Sequence, residues 1–348
     1  MDVVELEHRV EAHFRARADR YGLDPEAVRA TYRLNPGGFV NASYRVSDGR
    51  TSLFLKLNGW TANDDAHARH DTHGPAGEMG GESLWPGDDT RAGLRRWHQL
   101  AGRLTAEYHA PRVIDRVELE GGYQGLLFEW IEGDTPGRLT EPLSTAMFAM
   151  LARLHSDHRL AQQLPAGGTC ADAYLGNLHD RYVEDLAHIE RHRPPFIGAA
   201  KLAWMRAQAA GLETIVTTSA AFREPANSPV HGDLWLENVL VTASGQWYLL
   251  DWDGLRQGDP VADLATLLGP SRTVIELTPL PARVEAEMAD AARQRFQVYR
   301  RAVVLDWIID PLADWIEAAG VPAHRDAVRA EKRAVHEAAC ALHERLPG

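Results

Sequence analysis

The sequence predicts an α+β protein: a strand-rich front, residues 1–132, followed by a larger, mainly helical back, residues 133–348. Three observations predict this. Two alternating runs, FVNASYRVS and TSLFLKLN, flank Asp48–Gly49, and Asp-Gly between alternating runs is a strong hairpin signal. A second strand pair, APRVIDRVEL and QGLLFEWI, follows across a GG turn. After EGDTPG the apolar pattern becomes helical, which sets a boundary near Glu132–Gly133.

Taken in order, residues 4–18 read as an amphipathic helix. DPEAVRATY, from Asp24, reads as a capped helix with Pro25 at its first position, so residues 1–30 form a helical extension. The hairpin follows. Residues 59–89 are rich in Gly, Asp and His, lack any period, and read as a long loop insertion. A helix is expected at about 90–106, then the second strand pair. Helices follow over 143–155, about 171–192 and near 197–220, and the chain is helical again after Asp263.

Composition narrows the function. The formal net charge is −12, which argues against a nucleic-acid surface. It is compatible with a cationic small substrate. The only cysteines, Cys170 and Cys340, lie far apart, so no disulfide framework is expected and a reducing, cytoplasmic setting fits. The opening MDVVELEHRVEAHF has no secretory apolar core, and no apolar run is long enough to span a membrane. Of 37 basic residues only Lys56, Lys201 and Lys332 are lysines. A lysine kept in an arginine-rich chain points to a use for its compact charge.

The chemistry concentrates in HGDLWLENVL, His231–Leu240, and in LLDWDG, which ends on Asp251, Asp253 and Gly254. Two strand-like runs flank a turn centred on Ser244–Gly245. That centring sets Asn238 opposite Asp251, with Cα atoms roughly 5 Å apart as in any antiparallel pair. Asp233, Asn238, Asp251 and Asp253 would then converge at the hairpin base. Taken singly, an Asp or Asn is most often a turn or cap residue. Four together make a hard oxygen set suited to magnesium, which binds through one or two carboxylates plus substrate phosphates.

HGDLWLENVL followed by LLDWDG resembles the catalytic segment of the aminoglycoside phosphotransferase-like kinases, a family that includes choline and fructosamine kinases. The Asp233-to-Asn238 spacing equals that of the protein-kinase catalytic loop, with Gly232 in the arginine's place. The resemblance implies a bilobal protein-kinase-like fold, with an antiparallel-sheet lobe for nucleotide and a helical lobe for catalysis and acceptor. It implies ATP, or GTP, and Mg2+ as cofactors, and a small-molecule hydroxyl as phosphate acceptor. Asp233 would accept or orient the hydroxyl proton. Asn238, Asp251 and Asp253 would hold the metal. GGFVNASYRV resembles the phosphate-covering hairpin, with Asn41 and Ser43 near the nucleotide, and Lys56 matches the phosphate-gripping lysine. In LLFEWIEG the backbone of Glu129 and Ile131 would meet adenine. The helix TRAGLRRWHQLAGRL has no acid where the partner of Lys56 is expected, so Glu78, Glu82, Asp88 or Asp89 are candidates. LARLH resembles a core-packing helix of the family. Asp259 reads as a helix cap before Pro260, and Asp263 as a buried brace of the catalytic loop.

Two clusters remain. His67, His70 and His73 in HARHDTHG are spaced for a metal, but no regular element holds them, and a solvated loop is the expectation. LDWIIDPLADW gathers Asp306, Trp307, Asp310, Asp314 and Trp315. These acids and tryptophans would suit an amine acceptor through charge and cation–π contacts. Equally, Asp310 would cap a helix starting at Pro311, with the tryptophans in the core. The family's acceptors include aminoglycosides, other antibiotics, amino alcohols, sugars and fructosamines. The acidic balance favours a cationic, hydroxylated one. A nucleotide-binding module without catalysis is the rival reading, and a kinase acting on protein is a third. The oligomeric state is not legible.

Overall fold

The computed structural model describes residues 3–33, 41–58, 90–120, 123–320 and 324–346. The chain divides into two units. One holds the described residues up to 135 together with 239–253, and the other holds 136–238 together with the described residues from 254 on.

The first unit is built on a five-stranded antiparallel sheet in the order β1-β2-β3-β5-β4. Its strands are β1 Arg29–Arg33, β2 Asn41–Ser47, β3 Ser52–Asn58, β4 Val113–Glu118 and β5 Gln124–Glu129. Side chains alternate between faces along each strand. Ala42, Tyr44 and Val46 of β2 and Leu55 and Leu57 of β3 are fully buried on one face. Helix Val3–Arg15 packs at that end of the sheet and buries Leu6, Val10 and Phe14. Their four-residue spacing is the stripe expected of an amphipathic helix. The other face sets Ser43 opposite Lys56 and Phe54 opposite Phe128. Helix Thr90–Tyr108 lays Trp97 on Phe128, with ring centroids 4.6 Å apart.

One predicted element is replaced. Residues after Asp24 make a single turn, with Ala27 and Val28 N–H donating to Asp24 O, and then enter β1. Pairing with β2 along its whole length outweighs the cap signal at Asp24–Pro25, because it satisfies one side of an open sheet edge. Thr31 and Tyr32 suit a strand.

The hairpin of β7 Val239–Val241 and β8 Trp247–Leu249 belongs to the first unit. Asp134 and Val241 exchange backbone hydrogen bonds, Leu249 N–H donates to His109 O, and the His109 ring stacks on Trp247 at 4.0 Å. The ladder pairs Val239 with Leu249 and Val241 with Trp247. This register is one residue away from the one centred on Ser244–Gly245, so Asn238 and Asp251 are not a ladder pair. Thr242 N–H closes onto Gln246 O and Gly245 N–H onto Thr242 O, which moves the turn's centre toward Ser244.

The second unit is mainly helical. Its helices include Glu141–His155, Asp180–Arg191, Ala199–Thr218, Pro260–Leu267, Asp290–Glu317 and Arg325–His343. The stretch expected as one helix near 171–192 is interrupted by a π turn, Leu175–His179, between Cys170–Tyr174 and Asp180–Arg191. The longest helix buries Phe296, Tyr299, Val303, Leu305, Ile308 and Leu312. Pro311 lies inside it, so Asp310 is a mid-helix residue and caps nothing. The buried apolar face carries the helix through the proline, a case where packing outweighs the missing hydrogen bond. Two three-residue strands, β6 Ser228–Val230 and β9 Arg256–Gly258, pair just before and after the segment that carries Asp233 and Asp251. They are too short to leave a periodic signal in the sequence.

Candidate active site

In the second unit the site is built on helix Pro260–Leu267. Asp259 caps it, its side chain accepting from Val261 N–H at 3.1 Å with Pro260 in the first turn. One turn in, Asp263 is 2% exposed. Its carboxylate accepts the backbone N–H of His231 at 2.9 Å and of Gly232 at 3.0 Å, and lies 3.0 Å from His155 Nε2. The brace expected of Asp263 is therefore present. His155, expected only to pack, is part of it. Burial alone would push the Asp263 carboxyl up, but the His155 contact, the charge of His231 and the Gly232 N–H hold it below its ordinary value.

The loop leaves this anchor through Gly232, whose φ of +84° few residues other than glycine adopt. Asp233 N–H donates to His231 Nδ1 at 3.3 Å. Leu234 and Leu236 are buried and pin the loop. Asn238 Nδ2 donates to Asp233 O at 2.8 Å and to Asp233 Oδ2 at 2.9 Å. Asp233 and Asn238 are thus brought together and fix each other's orientation. With its nitrogen so engaged, Asn238 has its carbonyl oxygen to offer a cation.

Sequence reasoning missed Glu237. Its carboxylate accepts Arg272 N–H, and its Oε2 is buried with no hydrogen-bond partner among the described residues. Burial raises its pKa. Nothing in the sequence signals this, because Arg272 is 35 positions away.

Asp306, Asp310 and Asp314 follow one another at four-residue intervals on helix Asp290–Glu317, and so share a face. Arg181 holds Asp306 at 2.5 Å, and Lys332 holds Asp314. Asp310 sits between them. Burial first, then the charges of Asp314 and Asp306, raise its pKa well above the ordinary value. Trp307 meets Trp235 of the loop that carries Asp233 edge-on, with centroids 5.7 Å apart. Trp315 is elsewhere, packed against Phe196 and Arg329.

In the first unit Lys56 is 5% exposed and reaches two carboxylates, Asp251 and Asp253. Burial alone would lower its pKa, but these two acids hold it above the ordinary value. Trp252 fixes the pair. It is fully buried, donates Nε1–H to Leu249 O at 2.7 Å and packs near Tyr108. Asp251 takes φ +62°, a left-handed conformation that aspartate tolerates better than most residues. Ser43 is buried across from Lys56, and Asn41 begins β2. Glu129 ends β5, with Ile131 just beyond. The Glu129 N–H is already bonded to Arg112 O, and its side chain accepts from Arg112 N–H.

Gly37–Val40, the histidines at 67, 70 and 73, and Glu78, Glu82, Asp88 and Asp89 lie outside the described residues. Among the described residues no group of three His, Cys, Asp or Glu forms a metal site, both cysteines are free, and no helix is long and apolar enough to cross a membrane.

Comparison with known proteins places these features in a family. A model of the APH phosphotransferase enzyme family matches residues 31–302. Solved structures share the fold at low identity. The Plasmodium vivax ethanolamine kinase has a TM-score of 0.53 and 12% identity over 91% of this chain and 82% of that one. A spectinomycin phosphotransferase, APH(9)-Ia, in complex with ADP and spectinomycin, has a TM-score of 0.51 and 12% identity over 93% and 95%. The GDP and kanamycin complex of APH(2")-IIIa has a TM-score of 0.50 and 14% identity over 89% and 93%. The family match runs from β1 into the long helix and spans the residues from Lys56 to Asp263 described above in each unit, and this chain belongs to the phosphotransferase enzyme family.

Proposed function

We propose that the protein transfers the γ-phosphoryl group of ATP to a hydroxyl of a small, cationic acceptor such as an aminoglycoside or amino sugar. The Asn238–Asp233 hydrogen bond carries this reading. It holds one carboxylate oxygen of Asp233 and so fixes the carboxylate's orientation, which is what a group orienting a hydroxyl needs. Asp233 accepts or orients the acceptor proton. Lys56 grips the nucleotide phosphates, and Ser43 and Asn41 belong to the covering hairpin. The backbone at Glu129 and Ile131 receives the base, and GTP is the alternative nucleotide. Phosphoryl transfer asks mainly for positioning and charge neutralisation, so this short list suffices.

The oxygen donors fit magnesium. The Asn238 carbonyl and the Asp251 carboxylate are the proposed ligands, while Asp253 is turned to Lys56. The ion, when bound, supplies positive charge to the phosphates. The acceptor's amine is proposed to meet Asp306 and Asp310, beside Trp307. Ethanolamine, kanamycin and spectinomycin, the compounds named with the structural neighbours, support an amine-bearing acceptor. The two free cysteines suit a cytoplasmic setting.

A coupled ADP-release screen tests this across aminoglycosides, amino sugars, amino alcohols, nucleosides and simple sugars. Turnover with an amine-bearing compound, abolished in Asp233→Asn, is the expected result. Turnover of neutral sugars alone overturns the acceptor class. Nucleotide binding without turnover of any compound overturns catalysis. Phosphate incorporation into protein alone moves the acceptor to a macromolecule.

A further inference from the structure

Lys56 is a buried ammonium, and a buried charge requires an anionic partner. Helix Thr90–Tyr108 passes over it, with the Trp97 ring centroid 5.9 Å from Nζ. The only acid on this helix is Glu107, next to its last residue and engaged with Arg103. The helix brings glycine to the lysine's neighbourhood instead. A Cβ on Gly93 would lie 2.5 Å from Asp253 O and 2.9 Å from Asp253 Cβ. One turn on, Arg96 Nη2 donates to the same Asp253 carbonyl at 3.2 Å. The helix is therefore seated directly on residue 253, leaving no room for a side chain at Gly93. From that clamped backbone, Asp253 Oδ2 reaches Lys56 Nζ at 2.7 Å.

We propose that Asp253 is the positioning residue of Lys56, in place of an acid on the helix, and that Gly93 and Arg96 hold Asp253 there. The proposal rests on the kinase reading above. Asp251 also pairs with Lys56, but its carboxylate is the one assigned to magnesium. A lysine held by Asp251 alone would lose its partner in the loaded enzyme. Asp253 gives it a second one. Trp252, buried between the two acids, turns both toward the same ammonium. The one-residue spacing of DWD thus separates two tasks.

The test is calorimetric binding of MgADP to the full chain, which needs no acceptor. Lys56→Ala is expected to weaken binding about tenfold or more, the scale of a charge-assisted hydrogen bond. Asp253→Ala is expected to weaken it comparably, and the double variant no further than the weaker single. Gly93→Ala, which must displace residue 253, is expected to mimic Asp253→Ala. The magnesium concentration that half-saturates ADP binding stays within about twofold of wild type in Asp253→Asn, which preserves shape and guards against misfolding. Thermal denaturation confirms that each variant is folded.

Additive losses in the double variant overturn the proposal. So does a severalfold higher magnesium requirement in Asp253→Asn with magnesium-free ADP binding unchanged, which would make Asp253 a metal ligand. Coupling of Lys56 to Glu78, Glu82, Asp88 or Asp89 in the same cycle, with none to Asp253, overturns it as well. A wild-type chain that binds no MgADP overturns the kinase reading itself.

Discussion

The Asp263 carboxylate accepts the backbone N–H of His231 at 2.9 Å although the two residues are 32 positions apart. The same carboxylate takes the next N–H, of Gly232, and the His155 ring. The loop carrying Asp233 is thus hung from a helix by a single side chain. Asp263→Ala leaves the buried His231 N–H without an acceptor, at about 1–3 kcal/mol, and the half-buried Gly232 N–H as well. The expected outcome is a lower denaturation midpoint and a kcat reduced more than the nucleotide KM is raised. The sign of the pH effect follows from the lowered pKa. A depressed carboxyl contributes stability above its unfolded value of about 3.8, lost as pH falls through the folded value. Acid unfolding of the wild type should therefore show a component below pH 3.8 that is missing in Asp263→Asn, measured by urea denaturation across pH.

Asp310 has the opposite sign. Its pKa is raised by burial and by the neighbouring Asp314 and Asp306. Below the unfolded pKa of about 3.8 both states are protonated and the residue costs nothing. As pH rises from there, the unfolded chain ionises first and folding becomes less favourable, until the folded carboxyl ionises too. Asp310→Asn removes this cost. It is expected to raise the melting temperature at pH 7–8, with the gain vanishing toward acid. If Asp310 meets an amine, the same substitution raises the acceptor KM with little change in nucleotide KM. A variant that is both more stable and as active would remove Asp310 from the acceptor site.

What the sequence disclosed depended on range. The hairpin at Asp48–Gly49, the helix cap at Asp259–Pro260 and the Asp233–Asn238 pair rest on residues a few positions apart, and local spacing reports them. Asp24–Pro25 carries an equally good local signal, yet only a turn forms, because the free edge of β2 lies far away in sequence. Asp310–Pro311 misleads similarly: the cap chemistry is right, but the apolar face of helix Asp290–Glu317 continues past it. The hairpin register differed by one residue, which changes the partner of every side chain in it. Glu237 with Arg272, and Gly93 with Asp253, are contacts between distant segments with no local pattern.

Arg295 shows the same limit and supports a stability prediction. It is 5% exposed and donates to Asp259 at 2.8 Å, to Glu224 at 2.6 Å and to Ala221 O at 2.8 Å. The helix cap is therefore also the counter-ion of a buried guanidinium. Removing one partner of such a pair leaves an uncompensated charge, at about 3–5 kcal/mol. Arg295→Ala is expected to lose that much in equilibrium unfolding. Arg295→Lys recovers only part of it, because one ammonium cannot reproduce the forked contacts. Replacing Arg295 by Met and Asp259 by Ser together should cost less than Arg295→Ala alone. If the single variant falls within 1 kcal/mol of wild type, the network contributes no stability.

Two glycines separate backbone strain from crowding. Gly232 and Gly245 both have left-handed backbone, with φ of +84° and +82°. A Cβ on Gly245 would meet nothing within 4 Å, whereas one on Gly232 would lie 2.5 Å from Gly254 O and 2.6 Å from Arg256 Nη1. Alanine at Gly245 therefore carries only the conformational cost, about 1–2 kcal/mol. Alanine at Gly232 carries that cost and must also push apart the backbone at Gly254. The arginine end is flexible and can move, but the carbonyl cannot move without the segment from Gly254 to Arg256. Gly232→Ala is thus expected to be clearly less stable than Gly245→Ala in chemical denaturation. It is also expected to lower kcat, because the displacement is transmitted to Asp233, the next residue, while Gly245→Ala keeps wild-type kcat. Equal losses in the two variants would mean that the backbone conformation alone, and not close packing behind the catalytic loop, demands glycine at 232.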